Sequence, residues 1–254
     1  MNDAQGAPVA LVTGAARRVG AAIARRLHAD GWRVAIHCQA SRQEADALAA
    51  ALNAQRAGSA MVFTADLRDA AACSALPQQV ALAFGAPTAL VNNASSYFPT
   101  PLSQLTAAQI DDLVATNLRA PLLLVQATQA TGALRAVVNL LDAHTRQQPR
   151  PGLSAYTAAK DGLWALTEVL AVELAPEVRV NGLALGHIDA EVHSQPSEAE
   201  ALDLLDKQTQ LPHIPLGRFG RPDEVAAAVS WLLSEQSAYV SGAVIPIDGA
   251  RRLA

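Results

Sequence analysis

Seven short apolar runs punctuate the 254 residues, at positions 9–13, 33–37, 60–64, 89–92, 136–141, 179–183 and 243–247. Most of them are followed by a longer stretch whose apolar residues fall at helical spacing: 19–28, 43–55, 70–84, 106–128, 156–174 and 222–233. This alternation constrains the fold more than any other feature. Strands joined through helices must run parallel, and a parallel sheet needs helices on both faces. The expectation is an α/β fold: a single Rossmann-type domain over residues 1–254, with a doubly wound seven-stranded parallel sheet flanked by helices. Pro121 should kink the 106–128 helix. An irregular stretch at about 186–220, holding Pro196, Pro212 and Pro215 and a short helix at 197–206, breaks the rhythm after the sixth strand. Its place at the carboxyl edge of the sheet makes it a candidate substrate lid.

Composition agrees and excludes other classes. Fifty-five alanines against 4% aromatic residues suit closely packed helices and strands. A net charge of −4 argues against nucleic-acid binding. No uninterrupted apolar stretch reaches the length of a membrane span, and the first residues lack the pattern of a secretory signal. Cys38 and Cys73 cannot form a disulfide framework, and no Cys/His cluster has metal-site spacing. A cytoplasmic, reducing location is expected. Of 19 basic residues only two are lysines, Lys160 and Lys207, so each lysine raises a question.

The first strand runs into Thr13-Gly14-Ala15-Ala16-Arg17-Arg18-Val19-Gly20. Gly14 permits a sharp turn, the small residues let backbone approach a pyrophosphate, and Gly20 permits close helix-to-sheet packing. After Arg17 and Arg18, a helix from about Val19 turns its first N–H groups to the phosphates. An enzyme selective for NAD usually carries Asp or Glu at the end of the second strand. Here the strand ends His37-Cys38-Gln39-Ala40-Ser41-Arg42, with no acid. Ser41 with Arg17 or Arg42 would hold a 2′-phosphate, so NADP/NADPH is the expected cofactor. After the third strand, Asp66 would accept from the adenine amino group with Leu67 on the ring, or else cap the next helix.

Tyr156 and Lys160 stand four residues apart and share a helix face. A nearby ammonium should lower the phenol's pKa and bring proton transfer into range. A compact point charge is what such a role needs, which would explain a lysine in an arginine-rich chain. Asp142 ends the fifth strand, 14 positions before Tyr156, where an Asp can cap the turn that follows it.

At this point the chain resembles the short-chain dehydrogenase/reductase family along essentially its whole length. The resemblance rests on the Thr13–Gly20 loop, Asp66, Asn92-Asn93-Ala94, Asn117, Tyr156 with Lys160, and Ile247-Asp248-Gly249. It implies that Asn93 and Ala94 border the cofactor, with Gly186 nearby, and that Asn117 holds a water in a relay to Lys160. Two departures are informative. Arg18 stands for a loop glycine, and Asp142 stands where the family places a catalytic serine. Both are similar to the pteridine reductase branch. That resemblance implies that Arg18 contacts cofactor phosphate and substrate, Ser95 hydrogen-bonds a pterin and Tyr97 covers one of its faces. It also puts His37 and Ser41 near the 2′-phosphate. Leu185 stands where the family usually has a proline before Gly186.

The implied activity is NADPH-dependent reduction of a dihydropterin or dihydrofolate-like small molecule, with Asp142, Tyr156 and Lys160 as the proton relay. The alternatives are a ketone or 3-oxoacyl thioester reductase of the same family, and a non-catalytic dinucleotide sensor. The resemblance also implies a homotetramer, built through the 106–128 and 156–174 helices and the C-terminal end. His193 and His213, in the irregular stretch, are expected to be solvated.

Overall fold

In the computed structural model, residues 6–146, 150–189, 209 and 211–254 are described. The expectations at 197–206, His193, Pro196 and Lys207 lie outside them. The elements are β1 (Val9–Val12), α1 (Arg18–Ala29), β2 (Arg33–Cys38), α2 (Arg42–Gln55), β3 (Ala60–Thr64), α3 (Ala70–Phe84) and β4 (Ala89–Asn92), followed by α4 (Ala107–Val114) and α5 (Ala120–Gln129). The chain continues through β5 (Ala136–Asp142), α6 (Ser154–Glu173), β6 (Arg179–Leu185), α7 (Pro222–Leu233) and β7 (Val244–Ile247).

All seven strands pair parallel, in the order β3-β2-β1-β4-β5-β6-β7. Strand side chains alternate between the two faces. In β1, Ala10 and Val12 join a core with Ile23 and Leu27 of α1, Leu48 and Leu52 of α2, and Val225 and Val229 of α7. Val9 and Leu11 join the opposite core with Leu76 and Val80 of α3, Leu124 of α5 and Leu170 of α6. Small residues let the layers approach: Ala10, Ala24, Ala35, Ala89, Ala120 and Ala184 are all fully buried. A hydrogen-bonded chain ties sheet to helix: Asn92 Nδ2 donates to Asn139 Oδ1 at 2.8 Å, and Asn139 Nδ2 donates to Thr167 Oγ1 at 2.9 Å.

The kink expected at Pro121 lies one turn earlier. Between α4 and α5, Ala115–Arg119 form a π-turn in which the Ala120 N–H reaches Ala115 O. Pro121 has no N–H to give the carbonyl of Asn117, and its ring excludes that carbonyl from the usual spacing, so the preceding turn widens. The roots of the 186–220 excursion are tied together. Ile188 pairs with Gly220, the Gly220 N–H donates to His187 O at 3.0 Å, and Asp189 N–H donates to Gly220 O at 2.7 Å. His213 ends a short 3-10 turn and is exposed. Both cysteines are free thiols and buried. Among the described residues no helix is long and apolar enough to cross a membrane.

Candidate active site

Strand order reverses between β1 and β4, and the connections leave those two strands toward opposite faces. That opens a crevice beyond their carboxyl ends. Its floor is laced together. Thr13 Oγ1 accepts from the N–H groups of Asn93 and Ala94, each at 3.0 Å. Asn93 Nδ2 donates to Thr13 O at 2.8 Å and to Gly14 O at 3.0 Å. The cleft of about 450 Å³ takes its lining from the loop residues Gly14, Arg17, Arg18, Val19 and Gly20, from His37 and Ser41, from Asp66 and Leu67, and from Asn93, Ala94 and Ser95.

These residues fit a dinucleotide. Gly14 has φ 61°, and a Cβ on Gly20 would stand 2.2 Å from Gly14 O and 2.9 Å from Ala15 Cα. Nothing larger than glycine lets α1 start so close beneath the loop, with its first N–H groups directed at the cleft. Arg18 also has φ 52°, the left-handed conformation that the glycine it replaces would adopt without strain.

His37 is not a phosphate ligand in this arrangement. Its Nδ1 accepts from the Gly14 N–H at 3.1 Å, so Nε2 carries the proton and donates to Ala65 O at 3.1 Å. Burial pushes its pKa down, outweighing the Ala65 hydrogen bond, and the neutral ring brackets the phosphate loop against the end of β3. Arg42 turns away: Nε holds Asp46 at 2.8 Å, and the residue does not line the cleft. Arg17 does line it, with Nη1 3.6 Å from Glu44 Oε1. Ser41 stands at the N-cap of α2 without a capping side-chain bond. Asp66 does not cap α3, because Asp69 does, accepting from the Ala71 N–H at 2.8 Å. Instead Arg68 grips Asp66 with Nε and Nη2, and this holds the carboxyl down at about 2.

Around Tyr156 the electrostatics differ from expectation. Its hydroxyl donates to Asp142 Oδ2 at 3.1 Å. Lys160 Nζ donates to Leu140 O at 3.0 Å. Burial and then the Asp142 carboxylate therefore raise the Tyr156 pKa well above its ordinary value, the opposite of the lowering expected from an adjacent ammonium. Burial also pushes Lys160 down to about 8, against the opposing pull of Asp142. Asn117, fully buried in the π-turn, donates from Nδ2 to Ser96 O at 2.8 Å and Leu113 O at 3.0 Å, and accepts from Ser95 Oγ at 2.6 Å. The Tyr97 ring meets Tyr156 edge-on, centroids 5.0 Å apart at 86°, the geometry aromatic quadrupoles favour. Gly186 packs against Asp248, where a Cβ would come within 2.8 Å of Asp248 Cα, and is not part of the cleft lining.

Asp142 makes contacts in both directions. Oδ2 meets the phenol, while Oδ1 accepts the His144 N–H at 2.8 Å in the turn after β5. The same Oδ1 accepts His144 Nδ1 at 3.0 Å. Burial pulls the carboxyl upward, but the His144 hydrogen bonds and charge, with Lys160, bring it below its ordinary value, so it stays ionised. Behind it the His144 and His187 rings meet at 4.9 Å, and Arg150 Nη2 lies 3.4 Å from His187 Nε2. His144, Arg150 and His187 were missed in the sequence. The spacing Asp142-Ala143-His144 was the available signal, since an Asp side chain readily binds the N–H two residues on.

Comparison with known proteins agrees with this architecture. Residues 14–250 match the family model described as Enoyl-(Acyl carrier protein) reductase. Pteridine reductase 1 of Leishmania tarentolae is 34% identical over 100% of this chain and 99% of its own length. The 3-oxoacyl-(acyl-carrier-protein) reductase of Staphylococcus aureus is 32% identical over 94% of this chain and 96% of its own. D-threitol dehydrogenase of Mycolicibacterium smegmatis is 36% identical, over 95% and 91% respectively. With its seven-stranded parallel sheet, its glycine-turned phosphate loop and these relatives, the chain belongs to the short-chain dehydrogenase/reductase family, oxidoreductases that work with a nicotinamide dinucleotide.

Proposed function

We propose that the protein is an NADPH-dependent reductase of a pterin-type substrate, taking a dihydropterin or dihydrofolate to the tetrahydro form. The observation that carries this reading is the ionised carboxylate of Asp142 on the Tyr156 hydroxyl, where a carbonyl reductase would use a serine. A ketone offers only an acceptor to such a group and would meet a repelling charge. A pterin offers ring and exocyclic N–H donors that satisfy Asp142 and free the phenol's proton. Likeness to pteridine reductase 1 along the full chain supports the same substrate class.

Reduced nicotinamide would supply the hydride. Tyr156 stays protonated at neutral pH and hands its O–H proton to the substrate nitrogen. Asp142 orients that hydroxyl, and Lys160 keeps two further N–H groups for the ribose. Ser95, Tyr97 and Arg18 border the space for the heterocycle, and the 186–220 segment would close over it. Arg17 and Ser41 are assigned to the 2′-phosphate. Arg17→Ala should weaken NADPH binding about 10-fold or more and leave NADH binding unchanged, read by cofactor fluorescence. A homotetramer is the proposed assembly, testable by sedimentation.

The second reading, reduction of a 3-oxoacyl thioester, is favoured by the Staphylococcus aureus relative at nearly the same identity. Oxidation of NADPH should be followed with a 7,8-dihydropterin, dihydrofolate and an acetoacetyl thioester in parallel. Turnover of the pterins supports the proposal, and turnover of the thioester alone overturns it.

A further inference from the structure

The Tyr156–Asp142 contact depends on a residue that neither lines the cofactor cleft nor touches the phenol. Asp142 ends β5, and its carboxylate could rotate about χ2 out of line with the Tyr156 hydroxyl. His144 removes that freedom. Its backbone N–H and its Nδ1 both approach the same oxygen, Oδ1, at 2.8 and 3.0 Å, leaving Oδ2 for the Tyr156 hydroxyl at 3.1 Å. A carboxylate oxygen only accepts, so Nδ1 must carry a proton. The ring is 6% exposed, and Nε2 is buried without a hydrogen-bond partner among the described residues. An apolar ring would fill the same space without that unmet nitrogen. Packing therefore does not account for an imidazole here; the bond from Nδ1 to Asp142 does.

We propose that His144 is the positioning residue of the proton-transfer group: it pins Oδ1 of Asp142, so that Oδ2 stays on the hydroxyl of Tyr156. The inference rests on the proposed function only in taking Tyr156 and Asp142 as the proton-transfer pair, and holds whichever substrate the pair serves. Charged or titratable groups reach this cluster from four segments, including Tyr97, edge-on to Tyr156 from the stretch after β4. α6 contributes Tyr156 and Lys160, and Asp161 through Thr145; the segment after β6 contributes His187, and Arg150 stands before α6. Of these, His144 supplies the direct hydrogen bonds that offset the burial of Asp142.

The test uses the full-length protein and three replacements. Asparagine places an amide N–H where Nδ1 stands, glutamine places one nearer Nε2, and leucine places neither. The first readout needs no substrate. The carboxyl 13C resonance of Asp142, identified by its loss in Asp142→Asn, is followed against pH. Its midpoint should rise by about one unit or more in His144→Leu, and in His144→Gln, and fall back in His144→Asn. The second readout is steady-state NADPH oxidation with whichever pterin or thioester the wild type reduces. His144→Leu should lower kcat about 10- to 100-fold with KM within about 3-fold, and His144→Asn should recover most of it. Unchanged NADPH binding by fluorescence establishes that each variant is folded. The proposal is overturned if the Asp142 midpoint is the same in His144→Leu as in wild type. It is equally overturned if His144→Gln restores kcat better than His144→Asn, which would assign the function to Nε2. A wild type that reduces only thioesters removes the pterin reading and leaves both readouts of this one intact.

Discussion

Replacing Lys160 with methionine should make the folded protein more stable at neutral pH while abolishing turnover. Lys160 is 5% exposed, and among the described residues its Nζ has one hydrogen bond, to Leu140 O. Burial brings its pKa from an ordinary 10.5 to about 8. The unfolded chain therefore keeps this proton up to about pH 10.5 and the folded chain only to about 8, so stability rises with pH between those values. Below pH 8 the full penalty of burying the ammonium is present; above 10.5 it has gone. A gap of about 2.5 units corresponds to about 3 kcal/mol at 1.36 kcal/mol per unit. Methionine fills similar volume without a charge, but it loses the bond to Leu140 O, a cost of about 1 kcal/mol. The expected net gain at pH 7 is about 2 kcal/mol, closing or reversing by about pH 10. Urea unfolding followed by circular dichroism at both pH values, without cofactor, measures it. A Lys160→Met protein less stable than wild type at pH 7, or a difference independent of pH, would refute the reasoning. The ammonium would then be compensated in the folded state by contacts other than those described.

Gly20→Ala forces a Cβ to within 2.2 Å of Gly14 O, so backbone must shift; we expect a loss of about 2 kcal/mol or more in denaturant unfolding, together with weakened cofactor binding. Thr167→Val leaves the buried Asn139 Nδ2 without its 2.9 Å acceptor and should cost about 1–3 kcal/mol by the same measurement, with little change in KM. Arg18→Gly separates backbone from side chain: relief at φ 52° should hold stability within about 1 kcal/mol of wild type, while NADPH affinity by fluorescence titration falls.

What could be read in the sequence was what local chemistry controls. The extents of β3, α3, β4 and α7 follow from apolar runs bounded by breakers and caps, and they lie where the spacing placed them. Gly14 and Gly20 were legible because a tight turn and a close approach admit no other residue. The Pro121 disturbance was legible in kind but not in place, because the widened turn precedes the proline that causes it. Partner choice was less legible. Arg17 and Arg42 looked equivalent, and only the first turn of α2, which sets Arg42 against Asp46, separates them. The direct partners of Asn117, Ser95 and Ser96, were not legible, because the π-turn that sets them arises from a proline four residues on.

The sequence by itself determined the parallel doubly wound sheet, the phosphate loop, and the shared helix face of Tyr156 and Lys160, because period, glycine geometry and helical spacing are properties of short segments, while Asp142 was joined to them through the family resemblance. Only the tertiary structure decided how those three groups divide charge. Burial and a carboxylate act on the phenol, Leu140 O takes the ammonium, and His144 holds Asp142 from the far side. A pKa reports the whole surroundings of a group in three dimensions, and a sequence motif names only one of its neighbours.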